Sequence, residues 1–144
     1  MIFSPMYVSS VHILLKASHC PVQLRVEGYM QRIMLKSKIH RAVLTGTNLD
    51  YEGSIAIDPI LLEAADILPN EQVQVLNVNN GNRITTYTIV AERGSGTVML
   101  NGPAARSGMV GDIVVILTYA NVDSGELSGY SPKIVKVDSQ NRLV

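Results

Sequence analysis

Cysteine, tryptophan and phenylalanine are almost missing from this chain: one Cys (Cys20), one Phe and no Trp in 144 residues. A single thiol excludes a disulfide framework and any metal site built from several cysteines. Of the three histidines, His12 and His19 fall in an atypical N-terminal stretch and only His40 lies beyond it. A histidine metal site is therefore not expected, and no metal is assigned. Positive charge is not in excess, since Lys plus Arg and Asp plus Glu both number 12. Nucleic-acid binders draw much of their affinity from neutralising phosphates, so a nucleic-acid partner is not expected. No apolar run reaches the roughly 18 residues of a membrane-spanning helix, and no membrane association is expected. What is present is abundant Val, Ile and Leu with Gly at turn-like spacing. That is the composition of a compact, β-rich, cytoplasmic domain, long enough to bury a single core.

Residues 1–29 differ from the rest. They hold the Cys, the Phe and two of the three His, and show no sustained period of either kind. A secretory signal fits poorly, because no basic residue precedes the short apolar stretch and no small-residue cleavage site follows it. Val26-Glu27-Gly28-Tyr29-Met30 can be encoded with a GGAGG ribosome-binding element just upstream of an ATG. Residues 1–29 are accordingly expected to be a translated, disordered leader, with residues 30–144 forming the domain and Met30 the natural start. The mass of the natively expressed chain tests this, and a mature chain starting at Met1 would exclude it.

From Met30 the pattern is that of strands. Gln31 to Thr45 reads as extended, with Ile33, Leu35, Ile39 and Val43 on one parity and Lys36, Lys38 and His40 on the other. Thr47-Asn48 marks a turn and Ser54–Ile57 a short strand. Asp58-Pro59 supplies a helix cap and a first-turn proline for a helix over Ile60–Ala65. Val73–Leu76 and Arg83–Ala91 are strands around Asn79-Asn80-Gly81-Asn82, a hairpin signal because Asn and Gly accept positive φ. Further strands are expected at Thr97–Leu100, Ile113–Tyr119 and Ile134–Val137, with a turn and one helical turn over 101–105 and loop or short helix over 123–128. Six or seven strands with few short helices point to a small β-barrel.

One dipeptide carries distinctive chemistry. In Tyr51-Glu52-Gly53-Ser54, Gly53 leaves its own carbonyl unshielded and tolerates strained backbone. The Ser54 hydroxyl can attack that carbonyl through a five-membered ring and give an ester. Elimination then splits the chain and leaves dehydroalanine, which hydrolyses to a pyruvoyl group with loss of ammonia. Gly-Ser pairs are also ordinary in turns.

The surroundings add to this. The run MLKSKIHRAVLTGTNLDYEGSIAID, then NGNRITTY, then NGPAA followed by VGDIVVI, resembles the aspartate 1-decarboxylase family across nearly all of residues 30–138. The resemblance implies a double-psi β-barrel, a homotetramer with active sites between neighbouring subunits, and self-cleavage into residues 30–53 and 54–144. It implies that Ser54 becomes a covalent pyruvoyl cofactor. L-Aspartate would form a Schiff base with it, lose CO2 and leave as β-alanine, for pantothenate and coenzyme A synthesis.

Roles follow position by position from the same resemblance. Tyr87 matches the proton donor, although a Tyr on an alternating strand is more often packing. Thr86 matches a residue that touches substrate and assists the ring intermediate. Arg83 matches the carboxylate-binding arginine, which a guanidinium fork suits. Lys38 and His40 match basic residues near the site, Lys38 as a second carboxylate ligand. Asn101 matches an oxyanion stabiliser in self-cleavage, and Gly102, Pro103 and Ala104 match pocket-lining positions. Tyr51 and Glu52 precede the cut and are either turn residues or part of what strains the bond. Two positions depart from the pattern: Pro103 has no N–H to donate, and Leu76 stands where some members carry an aromatic residue.

Two other readings remain open on sequence alone. One is a β-barrel binding module that never cleaves. The other is a serine hydrolase using Ser54, with His40 as the base, although no G-x-S-x-G elbow surrounds that serine.

Overall fold

The computed structural model describes residues 30–144, and the expected leader lies outside them. In chain order the elements are β1 (Gln31–Val43), β2 (Gly46–Asn48), β3 (Ser54–Ile57), α1 (Pro59–Ala65), β4 (Gln72–Asn77), β5 (Arg83–Val90), β6 (Val98–Asn101), β7 (Ile113–Asp123) and β8 (Lys133–Lys136). Single 3₁₀ turns follow β6 (Gly102–Ser107) and β7 (Ser124–Glu126). The class is mainly β, as the residues indicate. There are eight strands rather than six or seven, because Thr47-Asn48, expected as a turn, falls within a three-residue strand, Gly46–Asn48, beside β6.

The strands follow the order β2-β6-β3-β5-β4-β7-β1-β8. Only Leu44 and Thr45 separate β1, near one end of that order, from β2 at the other. Leu44 N–H donates to the Asp112 carbonyl and Thr45 N–H to the Val98 carbonyl, both at 2.8 Å. The chain thus ties the two ends together, and the sheet curls around one core. Ile39, Leu44, Ile55, Ile57, Leu61, Leu100 and Ile116 are its largest fully buried side chains. Among the described residues no helix is long and apolar enough to cross a membrane.

β1 is not the uninterrupted strand that its parity predicts. Its register against β7 shifts between Leu35 and Ser37 and again between Ile39 and Ala42, where Arg41 has a φ of +64°. Each bulge inserts a residue and moves the following side chains to the other face. Ile33 is consequently 76% exposed, while Ser37, Ile39 and Ala42 are buried. Lys36 turns to Glu71 (3.0 Å), and only Lys38 and His40 keep a common parity.

Two local expectations hold. Gly81 N–H donates to the Asn77 carbonyl inside the β4–β5 hairpin, and Asn77 Oδ1 caps the turn from Asn79 N–H at 2.9 Å. Asp58 caps α1 and does more than the helix needs. Its carboxylate accepts from Ile60 N–H (2.9 Å), Gly94 N–H (3.0 Å) and Gly96 N–H (2.7 Å). Burial raises the Asp58 pKa, but these three donors and the Arg142 charge outweigh it and hold the carboxyl below its ordinary value. A lowered folded pKa contributes stability that is full above the unfolded value, near 3.9, and is lost as pH falls through the folded one. Asp58→Ala should therefore cost about 3 kcal/mol at neutral pH. The deficit should shrink in acid melts run from pH 5 downward; a deficit constant with pH would show that the carboxylate is not the stabilising group.

Candidate active site

The cleavage dipeptide lies where a loop enters the buried strand β3. That strand sits between β5, parallel, and β6, antiparallel, with all four of its residues buried. Its register sets Ser54 opposite Asn101. Both residues of the dipeptide have positive φ, +124° for Gly53 and +137° for Ser54. Glycine accepts this readily, whereas for a serine it stores about 1–3 kcal/mol.

Two side chains hold the bond from opposite sides. Asn101 Nδ2 donates to Ser54 Oγ at 3.0 Å, with both residues fully buried. The Tyr87 hydroxyl, on β5, donates to the Gly53 carbonyl oxygen, also at 3.0 Å. The nucleophile and the carbonyl it would attack are each engaged by one donor. Asn101 Oδ1 is buried without a partner among the described residues, which leaves an acceptor free at the same point.

A cavity of about 370 Å³ opens on this bond. Gly53, Ser54, Thr86, Tyr87, Pro103 and Ala104, all expected at the site, line it, together with Glu52. Asn101 and Gly102 lie directly behind. Ile84, Thr85 and Ser107 line it as well and were not anticipated. Ile84 and Thr85 precede Thr86 on β5 and could have been included by continuity. Ser107 left no local signal, because the hairpin asparagines place it: Asn77, Asn80 and Asn82 all donate side-chain N–H bonds to its carbonyl, at 3.2, 3.0 and 3.4 Å. Residues that read as turn formers thus also anchor the 3₁₀ turn that walls the cavity.

The basic residues are not brought to this cavity within the chain. Lys38 sits on β1 opposite Leu117 and Ile134. Arg83 is exposed at the start of β5, donates to Gln74 Oε1 at 2.9 Å and stands across from Leu76. His40 lines a separate cavity with Arg41, Lys136 and Val144. Burial first, then the charges of Lys38, Arg41 and Lys136, push its pKa down. Among the described residues Ser54 therefore has no imidazole beside it, and the hydrolase reading loses His40 as its base. Tyr51 is exposed and shares a shallow depression with Asp50 and Glu52.

Fold and site define a small β-rich protein in which two side chains hold the Gly53–Ser54 bond beside a cavity. Comparison with known proteins gives the family. The family model described as aspartate decarboxylase matches residues 30–144. The aspartate 1-decarboxylase of Thermoanaerobacter pseudethanolicus is 59% identical over 115 residues, covering 80% of this chain and 98% of that protein. That of Pelotomaculum thermopropionicum is 59% identical over 111 residues (77% and 84%), and that of Syntrophus aciditrophicus 55% over 114 (79% and 98%). The chain belongs to the aspartate decarboxylase family. A computationally designed protein of solved structure aligns over 60% of the chain at 16% identity and a TM-score of 0.38, too slight a likeness to bear on the fold.

The backbone at Ser54 makes a stability prediction. Ser54→Gly and Ser54→Ala both remove the hydroxyl, but only glycine relieves the positive φ. The glycine variant should be the more stable by about 1 kcal/mol in chemical denaturation. Equal stabilities would mean that Ser54 carries no backbone strain.

Proposed function

We propose that this chain is the precursor of a pyruvoyl-dependent carboxy-lyase that converts L-aspartate to β-alanine and CO2, after cutting itself into residues 30–53 and 54–144. The observation that carries this reading is the Gly53–Ser54 bond: its hydroxyl is held by Asn101 and its carbonyl by Tyr87, at a backbone that an ordinary turn does not need.

The steps follow from these contacts. Ser54 Oγ attacks the Gly53 carbonyl carbon while Tyr87 polarises the oxygen and Thr86 adds a second hydroxyl on the cavity wall. The C–N bond breaks, the serine nitrogen takes up the proton, and an ester links Gly53 to Oγ. Loss of the Ser54 α-proton expels the Gly53 carboxylate and leaves dehydroalanine. Water then replaces nitrogen, releasing ammonia. The residues present fit the product, since Asn101 can turn its amide to a ketone oxygen and the cavity gives the new terminus room for a substrate.

Once formed, the pyruvoyl group supplies an electrophilic ketone that takes up the substrate amine and accepts the electron pair freed as CO2 leaves the α-carbon. Tyr87, across the cavity from Ser54, holds the proton that the α-carbon then receives. Pro103 and Ala104 line the floor with Gly102 behind them, and Pro103, lacking an N–H, offers substrate apolar contact or its carbonyl. Aspartate brings two carboxylates, and Arg83 and Lys38 are the cations proposed to bind them, with His40 and Tyr51 nearby in the assembled site. Since neither cation lines the cavity of its own chain, the reading includes a homotetramer in which a neighbouring subunit completes each site. Pantothenate supply in the cytoplasm is the metabolic setting of this reading.

Intact-mass measurement of warmed, purified protein tests the first half. Two chains should appear, the second lighter than a serine-started chain by one ammonia, and Ser54→Ala should stay whole. A folded wild-type chain that stays whole even with cell extract added would overturn the reading in favour of a binding module. Assay of β-alanine from L-aspartate tests the second half. Tyr87→Phe, once cleaved, should turn over about a hundredfold more slowly. Lys38→Ala and Ser54→Ala, each inactive alone, should together recover about a quarter of wild-type activity when co-expressed, the share of sites that draw both good halves from different subunits. No recovery would mean that Lys38 does not act across an interface.

A further inference from the structure

Gly102 packs its backbone against the loop that carries Gly53, with no room for a side chain between them. A Cβ added there would collide with the Tyr51 carbonyl oxygen and would fall 2.7 Å from Gly53 N and 2.8 Å from Gly53 Cα. All three neighbours are backbone, so none can swing aside. Gly102 itself has a φ of +58°, which turns the chain sharply out of β6 and into the 3₁₀ turn. The residues on either side of it also meet the dipeptide. Asn101 bonds Ser54 Oγ, and Pro103 Cδ lies 3.8 Å from where a Gly53 side chain would begin.

Three consecutive residues therefore contact three consecutive parts of the reacting segment: the nucleophile, the backbone of Gly53 and the open face of Gly53. From behind, the hairpin asparagines anchor the turn through Ser107, and Pro103 stiffens its second position. This is a rigid surface against which the strained loop rests. Were the loop to relax away from positive φ, Gly53 would have to move along a wall that allows no inward displacement.

We infer that Gly102 is a positioning residue for self-cleavage: its bare backbone is the backstop that holds the Gly53 carbonyl carbon within reach of Ser54 Oγ. This goes beyond lining a substrate pocket and rests on the self-cleavage reading above. The requirement is for the absence of a side chain, not only for a backbone that tolerates positive φ.

Three variants separate these causes. Gly102→Ala adds both the collision and the φ penalty. Gly102→Asn adds the same Cβ but tolerates the left-handed backbone, so it remains informative if the alanine variant fails to fold. Gly129→Ala, at a φ of +87° with nothing within 4 Å, adds the φ penalty alone. Each is followed by intact mass at a temperature equally far below its own melting point, with and without hydroxylamine. Hydroxylamine attacks the ester carbonyl, giving a Gly53 hydroxamate and a free Ser54 amine, and so reports ester formation apart from elimination.

Both Gly102 variants should cleave about a hundredfold more slowly, the order expected for displacing a reacting atom by about 1 Å. Hydroxylamine should not rescue them, while Gly129→Ala should cleave at the wild-type rate. Gly102→Asn cleaving normally and showing only a raised KM for aspartate would overturn the inference and leave the function standing, since Gly102 would then serve substrate alone. Slow cleavage rescued by hydroxylamine would also overturn it, because the attack would be intact and only the elimination impaired. An uncleaved wild-type chain would instead overturn the functional reading, and this inference with it.

Discussion

The site depends on a single junction, the point where the loop of residues 49–53 becomes the buried strand β3. Ser54 is both the last residue of unusual backbone and the first residue of a strand flanked by hydrogen-bonded neighbours on both sides. The balance of energies explains why the junction persists. The serine backbone costs about 1–3 kcal/mol. Ile55 and Ile57, fully buried just beyond it, contribute about 1.5–3 kcal/mol each. The strand cannot slip to relieve its first residue without withdrawing those side chains from the core. Strain at Ser54 is thus held in place by burial one and three residues further along the chain, and the contacts of Asn101 and Tyr87 direct it.

Much of the fold was legible where its causes are local. Asp58-Pro59 announces α1 because capping and a first-turn proline act within three residues, and Asn79-Asn80-Gly81-Asn82 announces the β4–β5 hairpin for the same reason. β2 was missed because three residues of Gly, Thr and Asn have no strand pattern; they become a strand only when β6 arrives alongside. The two bulges in β1 were missed because an inserted residue looks identical to a continuing strand until its partner is known. Arg41 at positive φ has no sequence signature, yet it sits in the second bulge, past which Ala42 takes the buried side.

The site divides along the same line. Gly53, Ser54, Thr86, Tyr87 and the stretch from Asn101 to Ala104 were all indicated and lie together, because each belongs to a contiguous block that carries the family resemblance, and the pairing of β3 with β5 and β6 brings those blocks side by side. Ser107 was not indicated, since its position depends on hairpin asparagines 25 to 30 residues away. Lys38, Arg83 and His40 were indicated but stand apart from the cavity in this chain, which no reading of one chain's spacing could reveal. What the sequence supplied for them was residue type, not neighbourhood.

That separation has an electrostatic logic on the proposed reading. Among the described residues Glu52 is the one charged residue lining the Ser54 cavity, and its sign repels a dicarboxylate. The cavity of an isolated chain is therefore suited to chemistry on its own neutral peptide bond and unsuited to holding aspartate. Every contact needed for the cut, from Asn101, Tyr87 and Gly102, comes from within the chain. The cations needed for turnover do not. On that reading self-cleavage and substrate binding place different demands on the protein: the first needs a folded chain, the second an assembled one, and the charge that discriminates aspartate from other amines enters only with the neighbouring subunit.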